Sequence, residues 1–245
     1  MNGVRSVPRF SAVLLLSALL GACSDDAPPP ADRVAEGQRL FESRGLSSSR
    51  LNRYACSSCH DTDSSDPAKR KPGALLAGVT LRPTFWGGQE NDLLRAVNAC
   101  RTNFMYASEA LSATDPQAES LYAYLVSLEP GDPEPASFSI VRTIENLPRG
   151  DAASGDALFT VTCSQCHGTL HEGVGRLGPT VPVLPEDTLF EHQEYSRREQ
   201  RLVFIEKTRH GMFLGYGGDM PPFSTEVLAN TELSDILEAL GATGE

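Results

Sequence analysis

The chain has 245 residues, which is enough for one large domain or two small ones. Hydrophobic residues make up 40% of it and charged residues 22%, a composition that argues against a mostly disordered chain. Acidic residues outnumber basic ones by 32 to 21, and the formal net charge of -11 argues against nucleic-acid binding, because phosphates would be repelled. The six cysteines are the most informative residues for function.

Residues 1–23 have the pattern of a secretory signal peptide. Arg5 and Arg9 precede an apolar run at 12–20, which is shorter than the about 20 residues that a membrane-spanning helix needs. The run ends in Leu20-Gly21-Ala22-Cys23, which resembles a bacterial lipobox. That resemblance implies lipid attachment at Cys23 after cleavage. The alternative is an ordinary signal peptide cleaved near Ala22.

A polar, proline-rich stretch follows the cysteine, and we expect residues 24–33 to form a flexible tether. Removal of residues 1–23 takes away two arginines and no acidic residue. The mature chain then has 19 basic and 32 acidic residues, a difference of -13. These features predict a lipid-anchored protein on the periplasmic side of a bacterial membrane.

The rest of the chain contains a duplicated unit. The sequence Ala35-Glu36-Gly37-Gln38-Arg39-Leu40-Phe41 recurs as Ala153-Ser154-Gly155-Asp156-Ala157-Leu158-Phe159, and each copy precedes a Cys-x-x-Cys-His motif. The first unit has 11 additional residues before its motif, in the stretch from about Gly45 to Arg53. We therefore predict two domains, residues 34–129 and 149–245, joined by a linker at 130–148.

Both units are predicted to be helical. Apolar residues recur at helical spacing near the end of each unit and at about 91–100, and no alternating pattern indicates a strand. Asp115 and Pro116 are residue types that begin helices, and Gly241 is a plausible helix end. The predicted fold class is all-α, with two tandem domains.

The two Cys-x-x-Cys-His motifs predict covalent haem. In such a motif both thiols add to the haem vinyl groups, and the adjacent histidine binds the iron. A thioredoxin-type redox pair would need a βαβ pattern nearby, and a zinc site would need four ligands close together. No βαβ pattern is visible, and the motifs lie more than a hundred residues apart. We predict two haem c groups, bound through Cys56, Cys59, Cys163 and Cys166, with His60 and His167 on the iron atoms.

Both units resemble class I cytochrome c domains. In the second unit, Cys166-His167-Gly168 is followed by Leu177-Gly178-Pro179 and by Asp219-Met220-Pro221-Pro222-Phe223. The resemblance implies that Met220, the methionine before proline, is the distal iron ligand. Met212 and His210 are the competing candidates. A thioether ligand raises the haem potential relative to a second histidine.

The first unit lacks this loop and has Cys100 and Met105 instead. Of the six cysteines, one is assigned to lipid and four to haem, so only Cys100 is left without a role. Asn98-Ala99-Cys100, with Met105 five residues after the cysteine, resembles the N-terminal domain of dihaem thiosulfate dehydrogenases and related dihaem Sox cytochromes. That resemblance implies a thiolate on the iron of a catalytic haem. Either residue could be the ligand, and a buried cysteine without such a role is the third option.

Two functions follow from these features. The first is a dihaem c-type cytochrome that transfers electrons at the outer face of a bacterial membrane, docking with a basic redox partner. The second is a thiosulfate dehydrogenase-like oxidoreductase, with Cys100 catalytic at the first haem and a small sulfur oxyanion as substrate. Arg82, Arg95 and Arg101 are unassigned basic residues for such an anion. A subunit of a larger complex would instead show an apolar patch near Trp86 or Phe213-Leu214.

Overall fold

The computed structural model describes residues 30–128, 134–212 and 220–244. The predicted signal peptide with Cys23, most of the predicted tether, and Phe213-Leu214 lie outside these ranges. Within them the secondary structure is helical, and the only β-type pairing is one isolated bridge between Phe85 and Glu90. The predicted all-α fold class is confirmed.

The first unit contains four α-helices, α1 to α4, and three short 3-10 helices. The α-helices span Pro30–Glu42, Cys56–Cys59, Leu93–Asn103 and Pro116–Ser127, and the 3-10 helices span Arg44–Leu46, Val79–Leu81 and Trp86–Gly88. Helix α4 begins at the predicted Asp115–Pro116 pair. The Asp92 carboxylate caps α3 by accepting a hydrogen bond from the Arg95 amide.

Helix α1 begins earlier than expected, so the last four residues of the predicted tether, 30–33, are helical. Contacts with α4 explain the difference. Arg33 lies 3.1 Å from the Glu119 carboxylate, and Val34 packs against the core of the first unit.

The second unit contains helices α5 to α9. They span Ala152–Thr162, Ser164–His167, Glu186–Glu191, Arg197–His210 and Asn230–Ala239. Asp151 caps α5, and Ser196 with Glu199 forms a capping box at α8. In the described part of the predicted linker, residues 134–148, no helix is formed.

The duplicated glycines lie where two helices cross. A Cβ on Gly37 would overlap the backbone carbonyl of Ser120 in α4, and a Cβ on Gly155 would overlap that of Asp235 in α9. Glycine therefore lets α1 approach α4, and α5 approach α9, at a distance that any side chain would prevent. The sequence repeat thus corresponds to a repeated helix pair that forms the core of each unit.

The two units contact each other directly. The backbone amide of Arg70 donates to the Val161 carbonyl at 2.8 Å, and the Arg70 guanidinium lies 2.8 Å from the Glu232 carboxylate. In the described ranges, none of the helices is both long and apolar enough to cross a bilayer.

Candidate functional site

Each Cys-x-x-Cys-His motif forms part of the wall of an apolar cavity. The first cavity, of about 440 Å³, is lined by Cys56, Cys59 and His60 together with side chains of α3 and α4. The second, of about 530 Å³, is lined by Cys163, Cys166 and His167 together with side chains of α8 and α9. Both volumes fall within the range of about 300–1,000 Å³ that is typical of ligand and cofactor sites.

The two motif histidines are held in the same way. His60 Nδ1 lies 2.8 Å from the Ala74 carbonyl oxygen, and His167 Nδ1 lies 3.0 Å from that of Pro182. A carbonyl can only accept, so Nδ1 carries the proton and Nε2 keeps its lone pair for a metal ion. Burial lowers the pKa of both imidazoles, which favours the neutral form that ligates metal.

The loop after each motif returns to it. The amides of Gly73 and Leu177 donate at 2.8 Å to the carbonyls of Cys59 and Cys166, the second cysteines of the two motifs. Gly73 is required by sterics, because a Cβ there would overlap the His60 ring. The sequence alone had not singled out this glycine.

The motif cysteines suit covalent haem attachment. They line cavities whose other walls are largely apolar. Burial raises the pKa of Cys56 to about 11 and that of Cys163 to about 12, so these thiols are neutral at pH 7. Two thiols, a neutral imidazole with a free Nε2 and a large apolar space are the groups that haem c requires, so the residues present fit that cofactor.

Of the three candidate distal ligands in the second unit, only Met220 lies with His167 in the second cavity. Met212 packs instead against the core of the first unit. His210 is buried with Nε2 2.7 Å from the Val141 carbonyl and Nδ1 3.4 Å from Glu206.

Cys100 and Met105 both line the first cavity with His60. Cys100 is half-buried on α3, whereas Met105 is buried just after that helix. Burial, with smaller contributions from Cys56 and Cys59, raises the pKa of the Cys100 thiol. This side chain is therefore a neutral thiol, and bound iron would have to supply the charge that deprotonates it.

The three arginines considered for anion binding have different environments. Arg101 is buried, and its guanidinium donates to the carbonyls of Leu46 and Glu109. It therefore anchors the loop after α3. Arg95 is exposed and paired with Glu90 at 3.0 Å. Arg82 lines the first cavity and donates to the Ala77 carbonyl at 2.8 Å.

Trp86 is one of the two places where an exposed apolar patch would favour a subunit of a larger complex. The indole is half-buried and stacks on Phe104 with ring centroids 6.5 Å apart. Phe138, from the segment between the two units, meets the indole edge-on at 6.3 Å. The connecting segment therefore covers this part of the first cavity.

The two cavities share a wall, which the sequence did not reveal. Tyr54, Cys59, Pro72 and Pro221 line both of them. Leu51 and Arg53, from the insertion in the first unit, reach the second cavity, where Cys59 and Cys166 both lie. Distance along the chain thus did not separate the motifs in space. Nevertheless, no cluster of three or more His, Cys, Asp or Glu suited to a metal ion occurs in the described residues.

Comparisons with known proteins agree with the geometry of the second unit. Residues 150–238 match the family model described as cytochrome c oxidase, cbb3-type, subunit III. The match shows a c-type cytochrome domain, the class of domain that binds haem c covalently and transfers electrons.

The chain is also similar to a solved structure of the thiosulfate dehydrogenase TsdBA from Marichromatium purpuratum in its as-isolated form. The sequences are 17% identical and the TM-score is 0.43, over 87% of this chain and 46% of the other. This chain thus spans somewhat less than half the length of that one. None of the curated proteins matches its sequence.

Proposed function

We propose that the chain is a dihaem c-type cytochrome that transfers electrons at the outer face of a bacterial membrane. One observation supports this proposal above all others. Two separate cavities each have a Cys-x-x-Cys-His wall in which a backbone carbonyl fixes Nδ1 of the histidine. The matched family covers the second unit, and the duplicated geometry extends the assignment to the first.

The chain's own residues would hold two haems and set their properties. Cys56 and Cys59 would bind one haem and Cys163 and Cys166 the other, with His60 and His167 as proximal ligands. The haem iron, when bound, supplies the one-electron redox chemistry. The protein excludes water with the apolar walls and, in the second cavity, supplies Met220 as a thioether ligand that favours a high potential. The shared wall favours electron exchange between the two sites within one chain.

Potentiometric titration of the purified protein tests this proposal. We expect two one-electron transitions. Replacement of Cys56 and Cys59 by serine should remove one, and replacement of Cys163 and Cys166 should remove the other. A wild-type protein that takes up only one electron per chain, or whose electron uptake is insensitive to these changes, would contradict the dihaem assignment.

A second candidate function rests on Cys100, which lines the same cavity as His60. In a thiosulfate dehydrogenase-like reaction, two thiosulfate ions form one tetrathionate and release two electrons, which the two haems would accept. Thiosulfate should then reduce the haems of the wild type and not those of Cys100→Ala. If both proteins show the same two histidine–methionine haems and no reduction by thiosulfate, this candidate is wrong and Met105 is the ligand to test next.

The proposed location depends on Cys23 and the proposed partner on charge. Lipid at Cys23 would hold the domains near a membrane, so Cys23→Ser should release the protein into the soluble periplasmic fraction.

A charge difference of -13 in the mature chain favours a basic docking face on the partner, and electron transfer to a basic redox protein should slow as ionic strength rises.

A further inference from the structure

The loop that begins at Met220 is hydrogen-bonded to the end of helix α8. The Phe223 amide donates to the Thr208 carbonyl at 2.8 Å, and the Met212 amide donates to the Met220 carbonyl at 2.9 Å. A Cβ on Gly211 would overlap that same Met220 carbonyl, so the two segments lie in close contact. The position of Met220 therefore depends on the last turn of α8.

Arg209 is the side chain that joins these parts. It is buried, and its Nη1 donates to the carbonyls of Phe223 at 3.0 Å and Ser224 at 3.2 Å. Its Nη2 donates to Asn230 Oδ1 at 2.7 Å, at the start of α9. One guanidinium thus fixes the end of α8, the loop of Met220 and the start of α9.

We propose that Arg209 is a positioning residue that holds the Met220 sulfur in the second cavity. The proposal rests on the proposed function, in which Met220 ligates the second haem. Pro221 lines both cavities and Pro222 lines the first, so the same arginine also fixes the wall between the two sites. Hydrogen bonds to a charged group are the strong class, and the loop loses two of them when Arg209 is removed.

Helix α8 offers a matched control in Arg201. It is equally buried and also donates to backbone carbonyls, those of Leu147, Pro148 and Ala242. None of these carbonyls belongs to the loop of Met220. Arg209→Leu and Arg201→Leu should both lower stability, so only a measurement on the haem ligand separates positioning from general support of the fold.

The experiment is titration of the haem-loaded, oxidised full chain with imidazole, which competes with Met220 for the iron. Arg209→Leu should raise the apparent imidazole affinity of the second haem by at least about tenfold. The reason is that Met220 would leave the iron in a larger fraction of the molecules, and only those molecules can bind imidazole. Arg209→Leu should also weaken the sulfur-to-iron charge-transfer absorption. Arg201→Leu should do neither, and Arg209→Lys, which keeps the charge but reaches fewer oxygens, should fall between.

Equal imidazole affinities for the Arg209 and Arg201 variants would overturn the inference. If Arg209→Leu does not accumulate in cells, the same comparison is made with Arg209→Lys. If Arg209→Lys binds imidazole as the wild type does, the guanidinium does not position Met220. Met220→Ala distinguishes the underlying assignment. If Met220→Ala leaves the absorption band and the imidazole affinity unchanged, Met220 is not the ligand. Absence of the second haem from the wild-type protein would instead mean that the proposed function itself is wrong.

Discussion

Gly73→Ala is expected to disturb the first haem site through the orientation of His60. A Cβ at this position would lie 2.5 Å from His60 Nδ1 and 2.7 Å from the Cys59 carbonyl oxygen, against 3.4 Å for ordinary contact. Relief of the contact with Nδ1 requires a movement of about 0.9 Å. If Nδ1 moves directly away from the Ala74 carbonyl oxygen, the distance between these two atoms grows from 2.8 Å to about 3.7 Å, which is too long for a hydrogen bond.

The loss of the hydrogen bond between His60 and Ala74 can be expressed as a change in the reduction potential of the first haem. A neutral hydrogen bond contributes about 0.5–1.5 kcal/mol, and the bond at Nδ1 increases the basicity of the ligand nitrogen. Without it the imidazole stabilises ferric iron less, so the potential of the first haem should rise. At about 59 mV per 1.4 kcal/mol for one electron, the rise is roughly 20–65 mV.

The assay is potentiometric titration of the haem-loaded protein alongside Gly178→Ala. At Gly178 a Cβ would meet only Arg53, at 3.5 Å, which is ordinary contact. We expect Gly178→Ala to leave both potentials unchanged and to be as stable as the wild type or up to about 1 kcal/mol more stable. The same first-haem potential in both variants would refute the argument that Gly73 orients His60.

Three further changes test other parts of the structure. Met220→Ala should lower the potential of the second haem, as measured by titration, whereas Met212→Ala should not. Gly155→Ala should destabilise the protein by up to about 2 kcal/mol, because overpacking against a helix α9 carbonyl costs about 1–3 kcal/mol and helix propensity returns about 1 kcal/mol. A melting temperature above that of the wild type would contradict the close crossing. Burial raises the pKa of Glu226, but hydrogen bonds from Ser139, from its own backbone amide and from Ser224 together outweigh burial and lower that pKa from 4.5 to about 2. Glu226→Gln should therefore be less stable than the wild type at pH 7 in urea unfolding, and the gap should shrink as pH falls from 4.5 towards 2; a gap that persists at pH 2 would exclude this cause.

The sequence was sufficient for features that depend on short spacing. Two Cys-x-x-Cys-His motifs predicted two haem-sized sites, and the structure places each motif on the wall of a cavity. Gly37 and Gly155 could also be noticed from the sequence, because they occupy the same position in the two copies of the duplicated segment. The physical cause, a helix crossing too close for a side chain, became visible only when α4 and α9 were in place.

Contacts between distant residues were not predictable in the same way. The sequence left Arg101 as an unassigned basic residue for an anion, whereas in the structure its guanidinium donates to the carbonyls of Leu46 and Glu109. The wall shared by the two cavities forms where the two units meet, as Arg70 meets Glu232, and periodicity cannot indicate which surfaces meet. A single sequence holds no direct signal for pairings of that kind.

The number of haems that stay attached to the denatured chain tests the central claim most directly. Mass spectrometry of the purified mature protein, with absorbance of the unfolded sample, counts covalent haem without reference to folding or activity. The account predicts two haems per wild-type chain, and one per chain when either Cys56 and Cys59 or Cys163 and Cys166 are replaced by serine. A wild-type chain with a single attached haem would contradict it.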